Sequence, residues 1–311
     1  MFCTKPGYRL NVVRGAITAF GAITIISLSP AANAQNLFVY LNDQTIHQIT
    51  PGGVDLGIWA HTAFGAALDN MAFDSQGNLF AAYSGYGIVE KFTPGGVGSI
   101  FANTGLVNPF GLAIDSADNI YVPDVSTNQI TKYTPGGVSS IFVNTGSNAP
   151  VGIAIDSAQN VYVTNTANKI QMFTPGGVGS VFASIGLDGP AGINFDSQGN
   201  LYAANAYSDT IEKFTSGGTG SLFANTGLSG PHGIAVDSSD NVFASNYGTS
   251  DIQKFTSGGV GSTFVTFADA HPFAMAFQRG SSVPEPGAIA FGAIGVATAG
   301  LMIRKRRRSR K

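Results

Sequence analysis

Between residues 35 and 280 the apolar side chains fall in short runs that either alternate with polar ones or are rich in β-branched and aromatic residues. Gly, Pro, Asn, Asp and Ser separate the runs, so each reads as a strand bounded by turns. Four kinds of run recur in order. The first reads Gly-Ile-Ala-Val-Asp in variants, at Met71–Asp74, Gly111–Asp115, Gly152–Asp156, Gly192–Asp196, Gly233–Asp237 and Ala274–Gln278. The second begins at Asn36, Asn78, Asn119, Asn160, Asn200 and Asn241. The third, Ile-x-Lys-Phe-Thr in variants, begins at Ile46, Ile88, Ile130, Ile170, Ile211 and Ile252. The fourth passes through Ile58, Phe101, Phe142, Phe182, Phe223 and Phe264. No stretch of this region carries the 3.6-residue apolar period of an amphipathic helix.

These runs are copies of one unit. A Gly-Gly pair after Thr-Pro or Thr-Ser begins at 52, 95, 136, 176, 217 and 258, at spacings of 43, 41, 40, 41 and 41. A period near 40 with four strands per unit predicts an all-β, six-bladed β-propeller over 35–280. The phase predicts how the ring closes. The chain enters at a second strand, Asn36–Leu41, and the missing first strand comes last, at His271–Gln278. One blade would then combine three N-terminal strands with one C-terminal strand, leaving no open edge between blades.

The unit also resembles the NHL repeat, whose pattern is carried here by Pro231–Asp237, Asn119–Asp124 and Ile211–Phe214. That resemblance implies a propeller and no particular activity.

Composition narrows the function. The chain is 44% hydrophobic and 11% charged, with a net charge of −2. That average conceals a body, 35–280, with 6 basic and 17 acidic side chains, a net −11, which is no surface for nucleic acid. The single cysteine, Cys3, excludes a disulfide scaffold and a cysteine-ligated zinc site.

The two ends read as addresses. Residues 1–34 form a predicted signal peptide, with basic residues leading, an apolar run Gly15–Leu28 and an Ala32-Asn33-Ala34 cleavage site before Gln35. The order at the other end is a 281–286 linker containing Val283-Pro284-Glu285-Pro286, an apolar 287–303 segment, and a basic 304–311 tail. Seventeen helical residues reach about 25 Å, just enough for a transmembrane helix. The cations after it place the tail in the cytoplasm. This tripartite order resembles the PEP-CTERM sorting signal of Gram-negative bacteria. The resemblance implies recognition by an exosortase, removal of the tail near Pro284–Pro286, and delivery to the cell surface or extracellular matrix after transient anchoring in the inner membrane. Signal peptidase and exosortase are the processing partners so implied.

Most repeated polar residues read as structural. Asp74, Asp115, Asp156, Asp196 and Asp237, each followed by Ser, have the chemistry of turns rather than of a calcium loop. Lys91, Lys132, Lys213 and Lys254 are placed on outward faces of third strands. Candidate chemistry therefore lies at the channel mouth. One predicted ring is the residue after each first-strand Pro, in register Asp69, Phe110, Val151, Ala191, His232 and Phe273. A second, at the ends of second strands, is Leu41, Tyr83, Asp124, Asn165, Asn205 and Asn246, joined by Tyr86, Tyr207 and Tyr247. Aromatic faces and amides suit sugars or peptides.

Asp69 and His232 alone do not make a metal site, and no hydrolase motif occurs. The expectation is therefore a binding module without cofactor, metal or catalytic residue, taking exopolysaccharide or a surface protein. The alternative is a metal-dependent lactonase-like hydrolase or a streptogramin-type lyase acting at the same mouth.

Overall fold

The computed structural model describes residues 35–64 and 68–278, which contain strands and turns and no helix. The predicted signal peptide, linker, transmembrane segment and tail lie outside the described residues. Among the described residues no helix is long and apolar enough to cross a membrane.

The strands follow the repeat. β1 (Leu37–Leu41), β2 (Thr45–Ile49) and β3 (Asp55–His61) are followed by β4 (Leu68–Phe73), β5 (Leu79–Tyr83), β6 (Ile88–Phe92) and β7 (Gly98–Ala102). Next come β8 (Ala113–Ile114), β9 (Ile120–Asp124), β10 (Gln129–Tyr133) and β11 (Ser139–Asn144). β12 (Pro150–Ile155), β13 (Val161–Asn165), β14 (Lys169–Phe173) and β15 (Gly179–Ala183) form the next group. Then follow β16 (Pro190–Phe195), β17 (Leu201–Asn205), β18 (Thr210–Phe214) and β19 (Gly220–Ala224). The last five are β20 (Pro231–Val236), β21 (Val242–Asn246), β22 (Asp251–Phe255), β23 (Gly261–Thr266) and β24 (Pro272–Phe277). They make six four-stranded antiparallel sheets, five of them from consecutive strands. The sixth has the order β24-β1-β2-β3, the closure expected from the phase of the repeat. Leu37 pairs with Phe277 and Val39 with Met275 across that seam. At its end Asn42 N–H donates to the His271 carbonyl (3.1 Å), and His271 N–H donates to Asn42 Oδ1 (2.9 Å).

Each blade runs from the channel outward, and burial explains the sequence of each strand. Second strands such as β5 and β17 are buried along their whole length between neighbouring blades, which requires continuous apolar residues. Outer strands such as β7 begin exposed and turn inward only at a Phe near the end. That Phe meets a second-strand ring edge-on in its own blade and a third-strand ring of the next. Phe101 lies 5.0 Å from Phe80 and 6.0 Å from Tyr133, and Phe182 lies 4.9 Å from Tyr162 and 6.3 Å from Phe214. Such edge-to-face pairs add to the burial energy itself.

Turn chemistry is as read. Asp74 Oδ1 accepts from the N–H groups of Gln76 and Asn78 while Oδ2 accepts from Asn78 Nδ2 (2.7 Å), and the same net recurs at Asp115 and Asp196. The second glycine has a further duty in four of the six Gly-Gly pairs, at Gly53, Gly96, Gly218 and Gly259. Gly218 has φ +80°, and a Cβ there would overlap the Phe182 carbonyl oxygen of the preceding blade. Each repeated lysine caps an aromatic face of its own blade, with Lys213 Nζ 5.0 Å from the Tyr202 centroid and 3.5 Å from Asp196 Oδ2.

One blade departs from the pattern. The first strand predicted over Gly111–Asp115 is only Ala113–Ile114, with an isolated bridge from Pro109 to Asp124. Its partner β9 carries Pro123, which has no N–H to give the ladder. An added Cβ on Gly111 would lie 2.7 Å from the Pro123 ring, so the two segments stay close without pairing fully.

Candidate functional site

The inner strands β4, β8, β12, β16, β20 and β24 surround a channel of about 280 Å³. Their close approach depends on the Gly of Pro-x-Gly. A Cβ on Gly152 would overlap the Ala191 carbonyl oxygen, and one on Gly192 would lie 2.5 Å from that of His232. Two hydroxyls tie these inner strands together. Thr164 Oγ1 accepts from Gly152 N–H (2.7 Å) and donates to the Ala191 carbonyl (3.0 Å). Ser245 Oγ does the same for Gly233 N–H (2.8 Å) and the Phe273 carbonyl (2.7 Å).

The first predicted ring is where the repeat places it. Asp69, Phe110, Val151, Ala191 and His232 all line the channel. Phe273 turns sideways instead, its ring 4.9 Å from His232 and 4.8 Å from Tyr247. Tyr247 in turn lies 4.8 Å from His271, whose Nδ1 is 2.9 Å from Ser250 Oγ. The result is a continuous row of four rings, His232–Phe273–Tyr247–His271, leading from the channel wall to the surface.

Asp69 and His232 are the titratable groups of the channel wall. Burial pushes the Asp69 carboxyl up to about 7, an effect that hydrogen bonds from Ser84 only partly offset. Its Oδ2 is buried and has no hydrogen-bond partner among the described residues. Burial likewise holds the His232 imidazole below its ordinary value, so at neutral pH it is uncharged. Among the described residues no three His, Cys, Asp or Glu side chains converge as metal donors.

The second predicted ring is placed differently. Asp124, Asn165, Asn205 and Asn246 are buried rather than presented at the mouth. Their side chains hold the surrounding loops. Asp124 Oδ2 accepts from Val107 and Asn108 N–H, and its Oδ1 from Ser126 and Thr127 N–H. Asn205 Oδ1 accepts from Asp188 N–H while its Nδ2 donates to the Gly186 carbonyl (2.8 Å) and Thr210 Oγ1. Asn246 repeats this with Ser229, Gly227 and Asp251, and Asn165 Oδ1 closes the turn of Ala167 and Lys169. A strand that ends between two loops leaves four backbone groups to satisfy, and a buried amide or carboxylate serves them. Tyr83 is also internal, its hydroxyl donating to Glu90 Oε2 (2.7 Å).

The tyrosines of the neighbouring loops are exposed. Tyr207 is 82% exposed and lies on Gly189, where a Cβ would come 2.6 Å from the ring. Tyr86 and Tyr247 are also exposed, with Phe64 5.7 Å from Tyr86. Two apolar side chains on this face escape a reading of strand patterns, Val107 and the 85% exposed Ile185. Their signal was an apolar residue in a Gly-rich loop between fourth and first strands.

No protein-family model and no curated protein sequence matches the chain. Solved structures do match. A chain of a nidogen–laminin complex superposes with a TM-score of 0.71 at 18% identity, covering 79% of this chain and 99% of that one. A catalytically inactive virginiamycin B lyase from Staphylococcus aureus, solved with quinupristin, gives 0.61 at 16% identity, over 80% and 94%. A gluconolactonase from Xanthomonas campestris gives 0.56 at 17% identity, over 67% and 77%. Similarity at these identities shows the fold alone: a six-bladed propeller whose structural neighbours include a lyase, a lactonase and a component of a protein complex.

Proposed function

We propose that this protein is an exported NHL-type propeller acting as a non-enzymatic binding module, which holds a glycan chain or an extended protein segment across its aromatic face. The observation that carries the reading is the ring row His232–Phe273–Tyr247–His271, with Tyr207 and Tyr86 exposed on the same face. Rigid aromatic surface offers contact area at low entropic cost. The test is titration of the full chain against the exopolysaccharide and surface proteins of its own source. Tyr207→Ala and Tyr247→Ala should each weaken binding about tenfold, the loss of about 1.4 kcal/mol. No binding by the parent, or unchanged binding by both variants, overturns the reading.

The second reading is a metal-dependent lactonase-like hydrolase or a streptogramin-type lyase. The neutral imidazole of His232 and the displaced carboxyl of Asp69 in one channel favour it. It requires that His232→Ala abolish turnover of a lactone or depsipeptide while leaving the aromatic face able to bind.

Delivery belongs to the same proposal. Signal peptidase would cut after Ala34 and an exosortase near Pro284–Pro286, releasing the propeller from its transient inner-membrane anchor to the cell surface or matrix. Intact mass and cell fraction of the native protein test this. A mass near residues 35 to about 285, outside the cytoplasmic membrane, is expected. A membrane-bound form retaining Arg304–Lys311 overturns it.

A further inference from the structure

Exposed apolar side chains are not scattered over this propeller. Of the sixteen large ones among the described residues, eleven lie on the outer strands or the turns that lead into them, each 52–71% exposed. The pattern repeats by blade: Val97 with Ile100, Val138 with Ile141, Val178 with Val181. Leu222, Val260 and Ile58 continue it around the rim.

The strands that carry these residues are edges. β3, β7, β11, β15, β19 and β23 each have a neighbour on one side only, so alternate backbone N–H and C=O groups point outward. Soluble proteins ordinarily blunt such edges with lysine, proline or an inward charge. Here the only acidic or basic side chains on the six outer strands are Asp55 and His61, both in β3. The recurrent protective device is a bulge, which shifts the register between Val89 and Glu90 and at the matching point of the five other blades. It sits near the strand's end and spares the start, where Phe92 pairs with Gly98, Lys91 with Ser99 and Glu90 with Ile100 in regular order.

We infer that this rim is a self-association surface, on which the outer strands of one copy pair antiparallel with those of a second copy of this chain. The occupant follows from the repeat. β7, β15 and β19 read Gly-Ser-Ile-Phe-Ala, Gly-Ser-Val-Phe-Ala and Gly-Ser-Leu-Phe-Ala, so each rim edge is the complement of nearly every other. A homotypic antiparallel pair brings no charge against a like charge, although the body as a whole is acidic. Each contact is short and therefore weak. Several edges per molecule supply the avidity, and because they point outward from one ring they build a network rather than a closed dimer.

The test is sedimentation of the full chain over a range of concentrations, beside a variant carrying Ile100→Lys, Ile141→Lys, Val181→Lys and Leu222→Lys. The parent should form a concentration-dependent series of oligomers that high salt does not dissolve. The variant should stay monomeric with an unchanged melting temperature, since none of the four side chains is buried. Ser99→Cys should cross-link copies on oxidation, whereas Ser238→Cys, on an exposed turn elsewhere, should not. A monomeric parent, equal association of the lysine variant, or equal cross-linking of both cysteine variants overturns the inference. So does a parent that stays monomeric while binding an added strand peptide, which would make the partner a different chain.

Discussion

The carboxyl of Asp69 offers a direct check on the channel. It is displaced from 3.8 to about 7 because burial penalises its charged form. A group raised in the folded state contributes stability that is fully present below its unfolded value and is lost as pH rises through the folded one. Asp69 should therefore cost stability progressively between about pH 4 and pH 7, the loss levelling off above that. The displacement corresponds to about 4 kcal/mol as a ceiling, since each pKa unit is about 1.4 kcal/mol. Asn at this position keeps an oxygen to accept from Ser84 and never ionises. For a domain of this size 1 kcal/mol moves the melting temperature by about 2–4 °C. Asp69→Asn should accordingly melt near the parent at pH 4 and up to about 16 °C above it at pH 8. His232 acts in the opposite sense, its depressed value withdrawing stability as pH falls. Its contribution is common to both proteins and cancels in the difference. A difference that is flat from pH 4 to pH 8 would show that Asp69 ionises like a surface carboxylate and that the channel wall is wet.

Other consequences follow from close contacts and buried polar groups. Gly152→Ala should cost about 3 kcal/mol, the upper part of the overpacking range, because the new Cβ meets the Ala191 carbonyl and crowds Thr164 Oγ1. Gly199→Ala, with φ +79° and open space around it, should cost only about 1–2 kcal/mol, and chemical denaturation of the pair measures the contrast. Asn205→Ala should lower stability by about 1–3 kcal/mol by stranding Asp188 N–H and the Gly186 carbonyl, with affinity for any ligand of the face unchanged in a titration of the folded protein.

The ring was legible because its causes are periodic. Turn Asp residues, paired glycines and the aromatic of each outer strand recur wherever one blade meets the next, and the strand missing at the start of the repeat fixed the closure. The shortening of β8 escaped that reading, since the proline responsible lies in the neighbouring strand. The site was half legible. Asp69, Phe110, Val151, Ala191 and His232 line the channel because alternation in the first strand dictates it. Asn165, Asn205 and Asn246 were misplaced because Asn at a strand end looks the same whether its amide meets solvent or closes a loop. The row of rings needs contacts between β20, β21 and β24, which no spacing within one repeat contains.

Comparison of the six copies within the chain separates scaffold from site. Positions that stay constant are those where a side chain, or the lack of one, meets the adjacent blade. The residue in register after the first-strand proline varies instead, as Asp, Phe, Val, Ala, His and Phe. In five of the six copies its side chain lines the channel, Phe273 alone turning aside onto His232, so packing imposes little on its identity there, and what stands there is free to serve a ligand. This has a measurable form in one pair of isosteric substitutions. Val163 is fully buried between blades, and a hydroxyl introduced there finds no water. Val163→Thr should cost about 1–3 kcal/mol. Val151 lines the channel, where an added hydroxyl can be solvated, and Val151→Thr should cost less than about 0.5 kcal/mol. Equal losses in urea denaturation would mean that the channel is packed as tightly as the blade interfaces, and its variable residues would then be structural after all.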